Sequence, residues 1–122
     1  MTNKFDIDLK YGQVREAEIA SMFQNEKIEV KTERDKWKTT GNIVIEFECR
    51  GKPSGIAVTE AKWWAHVLAD GDDTHCILFF LTDKLKEIAR PYLSNAIYGG
   101  DDNLSKFVLI PLENIFNQRS KK

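Results

Sequence analysis

Cysteine, proline, excess positive charge and long apolar runs are all scarce in this chain, and each scarcity closes a class of function. Two cysteines are present, Cys49 and Cys76. Each sits in an apolar, strand-like run, so both read as reduced buried thiols of a cytosolic protein, with a disulfide the minority reading. Neither belongs to a CxxC or Cys/His spacing of the kind a structural zinc site uses. No apolar run approaches the roughly 20 residues that cross a bilayer. The opening MTNKFDIDLK lacks the apolar core of a secretory signal. A cytoplasmic protein with no membrane partner is the expectation. Lys and Arg number 18 against 19 Asp and Glu, a net charge of −1. A broad basic face is thereby excluded. Nucleic-acid binding would need a local basic patch, with acids placed elsewhere or neutralised by a divalent metal.

What is present is enough for one core. The 122 residues are 42% hydrophobic and 30% charged, as in a folded globular domain. With no internal repeat and no Pro-, Gly- or Ser-rich linker, residues 1–122 read as a single domain. Its organising stretch is KIEVKTERDKWKTTGNIVIEFECR, residues 27–50. Ile28 and Val30 alternate with Glu29 and Lys31, and Ile43, Ile45, Phe47 and Cys49 alternate with Val44, Glu46, Glu48 and Arg50. A period of two predicts strands with one buried face. Paired as an antiparallel hairpin across the loop 35–41, they would set Glu48 opposite Glu29 and Glu46 opposite Lys31. Three carboxylates and an ammonium would then share one face.

A helix over about 13–25 precedes this stretch, with Val14, Ile19, Met22 and Phe23 on its buried side. Glu16 shares a row with Ile19, Ala20 and Phe23, and Glu18 one with Val14 and Met22. An inward carboxylate needs a partner or a route to solvent. The first ten residues read as a short arm or edge strand. After the hairpin, Gly51–Gly55 is a turn by its chemistry. Thr59 caps an expected helix over about 60–69, ended by Asp70-Gly71 and packed through Trp63, Trp64, Val67 and Leu68. His66 reads as a surface or boundary residue. The run HCILFFLT at 75–82 reads as a central strand covered on both faces. Asp83 caps a helix reaching about Leu93, weakened by Pro91. Residues 98–102 form a loop, 106–110 a strand, 112–116 a closing turn or short helix, and 119–122 a frayed basic tail.

Gly12…Glu16 on a helix, Glu29-Val30-Lys31 on an amphipathic strand, a second strand, a helix and a buried strand follow in order over about residues 10–82. In that order the chain resembles the PD-(D/E)XK nuclease superfamily, particularly its small phage-encoded members and the archaeal-type Holliday-junction resolvases. TGNIVIEFE and GKPSGIAVTEA are similar to phrases in phage proteins of that group. The resemblance implies an α/β, restriction-endonuclease-like core: a mixed sheet flanked by helices. It implies Mg²⁺-dependent (or Mn²⁺-dependent) endodeoxyribonuclease activity, hydrolysing phosphodiesters in phage DNA processing or junction cleavage, in the host cytosol. Under it Glu29 is the acidic metal ligand, Lys31 the lysine at the attacked phosphate, and Glu16 the first-helix acid completing the catalytic set. Those residue types suit hard oxygen coordination of Mg²⁺ and neutralisation of developing charge.

The superfamily's Asp, ten or more residues before Glu-x-Lys, has no counterpart here. Asp35 folding back and Glu46 across the hairpin are the two favoured substitutes as metal ligand. Alternatively Glu29 takes the Asp role, with Glu46-Phe47-Glu48 as the second motif. For DNA, the loop carrying Lys36, Trp37 and Lys38 offers phosphate contacts and an aromatic face, and Arg50 and Lys52 extend the rim. Trp37 reads equally as tucked onto the core. The partners expected are DNA and a divalent metal, and a homodimer would bring two sites to two strands. The competing reading is a catalytically inactive nucleic-acid- or protein-binding module on the same fold.

Overall fold

The computed structural model describes residues 4–117 apart from Asn25, with the backbone alone at 4–8. The expected basic tail at 119–122 lies outside the described residues. The elements run α1 (Lys4–Met22), β1 (Ile28–Arg34), α2 (Lys36–Thr40), β2 (Asn42–Cys49), β3 (Lys52–Pro53), β4 (Trp63–Asp70), β5 (Asp73–Leu81), α3 (Thr82–Ala89), β6 (Ile97–Gly99), β7 (Ser105–Pro111) and α4 (Leu112–Phe116). The fold is α/β, but its strands form two sheets. One is mixed, in the order β1-β4-β5, with β1 parallel to β4 and β4 antiparallel to β5. The other is antiparallel, in the order β3-β2-β7-β6.

The expected β1–β2 hairpin is therefore corrected: the two strands belong to different sheets. The short helix α2 fills the connection, and Gly41 ends it in the left-handed region at φ 72°. Glu48 pairs with Lys106 across β2–β7, not with Glu29. The expected helix at 60–69 is also corrected: WWAHVLAD is strand β4, flanked by β1 and β5 and buried on both faces at its start. Trp64, His66 and Leu68 face the interior, and the Trp and Val residues favour a pleated surface. Asp70 and Asp73 pair across Gly71-Asp72, so the Asp-Gly read as a helix stop is a hairpin turn, with Gly71 at φ 59°.

Three further expectations shift. Strand β5 is an edge strand of the mixed sheet, not a central one, and its outward Ile77 and Phe79 stay 45% and 44% exposed. The helix after it tightens at Pro91 into a 3-10 segment, Arg90–Asn95, because proline lacks the N–H that an α-helix needs there. The opening helix runs from Lys4 to Met22, taking in part of the supposed arm, and among its described side chains the only buried apolar one is Met22. Val14 and Ile19 lie roughly 140° apart at 3.6 residues per turn, so no single stripe gathers them. Strand β6 occupies part of the expected loop, while β7 and α4 fall where the sequence placed them.

The core lies between the sheets. Ile43, Ile45, Val108 and Ile110 from the antiparallel sheet meet Trp64, Leu68 and Phe80 from the mixed one, with Leu85, Ala89 and Ile115 sealing the ends. Among the described residues no helix is long and apolar enough to cross a membrane.

Candidate functional site: a cleft between the two sheets

Strand alternation puts Glu29, Lys31 and Glu33 on the same side of the mixed sheet as Trp64 and His66, since Glu29 is registered with Trp64 and Lys31 with His66. Toward its other end β2 has a neighbour on one side only. It pairs with β7 along its length but with β3 only at Glu48 and Cys49. Its open edge at Val44 is closed by a side chain, for the Val44 N–H donates to Glu33 Oε2 at 2.8 Å. A buried backbone donor costs free energy unless it is paired, so Glu33 ties the two sheets together where no ladder does.

Gly55 lines the cleft beside Glu46, and Ser54 pins the chain there. Ser54 N–H donates to Phe47 O at 3.0 Å, and Ser54 Oγ donates to Glu46 Oε2 at 2.9 Å. Gly55 has φ 53°, and a Cβ there would sit 2.2 Å from the carbonyl oxygen of Glu46. Only glycine lets the chain pass so close. The Pro-Ser-Gly phrase thus holds the Glu46 carboxylate in place.

The result is a cleft of about 260 Å³ lined by Lys31, Glu33, Glu46, Gly55, Trp64 and His66, with Val44 and Phe107 behind them. Lys31 is half exposed, and its Nζ lies 3.8 Å from Glu29 Oε2. Glu29 in turn accepts from Thr59 Oγ1 at 3.1 Å, in an adjoining open groove that also holds Lys27 and Glu60. The hydroxyl expected to cap a helix thus serves a carboxylate and the Ala61 N–H instead.

Of the residues singled out by sequence, the structure brings Lys31 and Glu46 into one cleft, with Glu29 beside Lys31 but lining the adjoining groove. It does not bring Glu16, which lies on the exposed surface of α1. Asp35 does not line the cleft either. Its Oδ1 accepts from the Gly71 N–H at 2.8 Å, with Lys38 and Arg34 beside it. That N–H, then the two cations, hold its carboxyl below the usual Asp range. Trp37 is tucked in: its Nε1 donates to Ala69 O at 2.8 Å and its ring lies 5.1 Å from that of His75. Lys38 is paired with Asp70, whose hydrogen bond raises the lysine's pKa. Lys36 and Lys52 are exposed.

Two residues that sequence reasoning missed stand in the cleft. Glu33 continues the period of Glu29 and Lys31 by one step, and that repeat was the available signal. His66 is 1% exposed, bonded to Trp64 Nε1 through Nδ1 at 3.1 Å and to Glu33 Oε2 through Nε2. The expected boundary histidine is thus a buried one with a partner acid, visible beforehand only by reading Trp64, His66 and Leu68 as a strand face.

No family model, curated protein or solved structure matches this chain. The site's chemistry is read from its own residues. Among the described residues no group of three or more His, Cys, Asp or Glu is placed to share a metal ion. A cation of the Mg²⁺ type is commonly held by only one or two protein carboxylates, with water filling its shell, and the described hydrogen bond of Glu46 engages only one of its two oxygens.

Proposed function

We propose that the chain is a metal-dependent DNA nuclease that hydrolyses phosphodiester bonds, a divergent relative of the PD-(D/E)XK enzymes. The observation that carries this reading is the convergence of Lys31 and Glu46, from strands of different sheets, on one cleft of about 260 Å³. Glu46 would hold the ion, with Glu29 at the rim of the adjoining groove. When bound, such an ion polarises a phosphoryl oxygen and acidifies a water. The protein's own part is positioning. Ser54 fixes the Glu46 carboxylate, and Glu29 restrains the Lys31 ammonium at the mouth. Half exposed, Lys31 can meet a non-bridging phosphate oxygen and offset charge that grows in the transition state. The exposed Lys36 and Lys52 offer further phosphate contacts, whereas Trp37 is committed to Ala69 and does not offer a stacking face. Purified protein with Mg²⁺ or Mn²⁺ should cut branched, nicked or linear DNA, and Lys31→Ala and Glu46→Gln should each lower the rate at least 100-fold, roughly the worth of a transition-state donor. Cutting that is unaffected by both changes would refute the assignment.

A second reading has one observation in its favour, the lack of a three-ligand cluster among the described residues. Under it the same fold binds nucleic acid or protein without cleaving. Calorimetric titration with Mn²⁺ separates the two, since a binding module should take up no stoichiometric ion.

A further inference from the structure

The most deeply buried titratable side chain of the cleft is His66, and both its ring nitrogens are engaged. An indole N–H can only donate. His66 Nδ1 must therefore present a lone pair to Trp64, and the neutral ring carries its proton on Nε2. That N–H donates to Glu33 Oε2, the same oxygen that accepts from the Val44 N–H at 2.8 Å. Glu33 Oε2 thus has both lone pairs used. Its Oε1 has no hydrogen-bond partner among the described residues, and the side chain, only 17% exposed, lines the cleft with Lys31 and Glu46. The two cleft acids are built alike: in each, Oε2 is tied to the protein and Oε1 makes no described hydrogen bond.

We propose that Glu33 is a second carboxylate ligand for the cleft's divalent ion, and that His66 is its positioning residue, with the tautomer set by Trp64. This rests on the nuclease reading. A clamp between sheets needs only an acceptor for Val44. A buried imidazole whose tautomer is locked from behind does more, because it fixes which oxygen is occupied and so which one faces a ligand. Carboxylates that bind metals are commonly oriented in this way by an outer partner, and loss of the partner weakens affinity roughly 10–100-fold.

The test is Mn²⁺ titration of the whole chain, followed by long-range ¹H–¹⁵N spectra of the histidine rings and by calorimetry. In the wild type, Nδ1 of His66 should be the unprotonated nitrogen, and the His66 ring signals should broaden at substoichiometric Mn²⁺, ahead of those of His75. His66→Phe should weaken Mn²⁺ binding about 10–100-fold, and His66→Gln, which retains an N–H donor, should recover part of the loss. Glu33→Gln should weaken it at least as far as His66→Phe. If the wild type binds Mn²⁺ while His66 stays sharp, or His66→Phe binds like the wild type, the inference is overturned and the nuclease reading stands on Glu46 and Lys31. If the wild type takes up no Mn²⁺ at millimolar concentration, the nuclease reading falls and takes the inference with it. Should His66→Phe fail to fold, the broadening pattern of the wild type still decides.

Discussion

The two faces of the β1-β4-β5 sheet carry opposite kinds of residue from what each environment would ordinarily select. The inner face bears Glu29, Lys31, Glu33 and His66 beside Trp64 and Leu68, and each of those polar groups has a described partner. The outer face buries Trp63 and Ala65 at its centre but carries Val30, Ile77 and Phe79 around them, each more than 40% exposed. Apolar surface left in water is ordinary, but charge placed inside is costly unless it is paired. Specific donors meet that cost: Thr59 and Val44 from other segments, and Trp64 from the strand of His66 itself. That pairing of inward charge is the reason the proposed site is placed at the inner end of the sheet.

Substitutions that separate the faces test that contrast. The largest effect is expected in the core beneath the cleft: Ile45, fully buried, should cost about 2–5 kcal/mol of stability when changed to Ala, read by denaturant unfolding. Gly55→Ala should follow. Its positive φ alone strains an L-residue by roughly 1–3 kcal/mol, and the added methyl meets the Glu46 carbonyl, so stability and any Glu46-dependent activity should fall together. On the outer face, Phe79→Thr should change stability by no more than about 1 kcal/mol. A loss above about 2 kcal/mol there would break the comparison by showing that the face is covered in solution.

The smallest effect concerns pH. Asp35 titrates below its ordinary value because the Gly71 N–H binds its carboxylate. Its contribution is complete above the unfolded pKa of about 3.9, and it is lost as pH falls through the lower folded value. Asp35→Asn keeps an acceptor for Gly71 but not the charge, so the melting temperatures of variant and wild type should differ above about pH 4 and converge in acid. A difference that persists unchanged in acid would remove this carboxylate from the ledger of acid sensitivity.

Much of the site was legible where period two ran clean. IEVK puts Glu29 and Lys31 on one face of β1, because alternation fixes which residues share a face whatever the partner strand. The β1–β2 hairpin that would set Glu46 beside Lys31 does not form, and Glu46 reaches the cleft from the other sheet. Pairing was not legible. A seven-residue loop between two strands reads as a hairpin, yet Lys36–Thr40 closes a helical turn and sends β2 to another sheet. His66 was lost for a related reason. Thr59 reads as a helix cap and Asp70-Gly71 as a helix stop, and those two signals outweigh the strand preference of Trp63, Trp64 and Val67 between them. Glu16 shares a helical row with Ile19 and Phe23, but that row stays open to solvent, with both apolar residues more than half exposed.

The central claim is that Glu46 and Lys31 frame a site for a hard divalent ion beside a phosphodiester. Anomalous diffraction from a crystal soaked in Mn²⁺ tests it most directly. The expected result is one ion in the cleft, about 2.1 Å from a Glu46 carboxylate oxygen and completed by water. An ordered cleft without an ion, or an ion bound only at the acidic turn Asp70–Asp73, would contradict it.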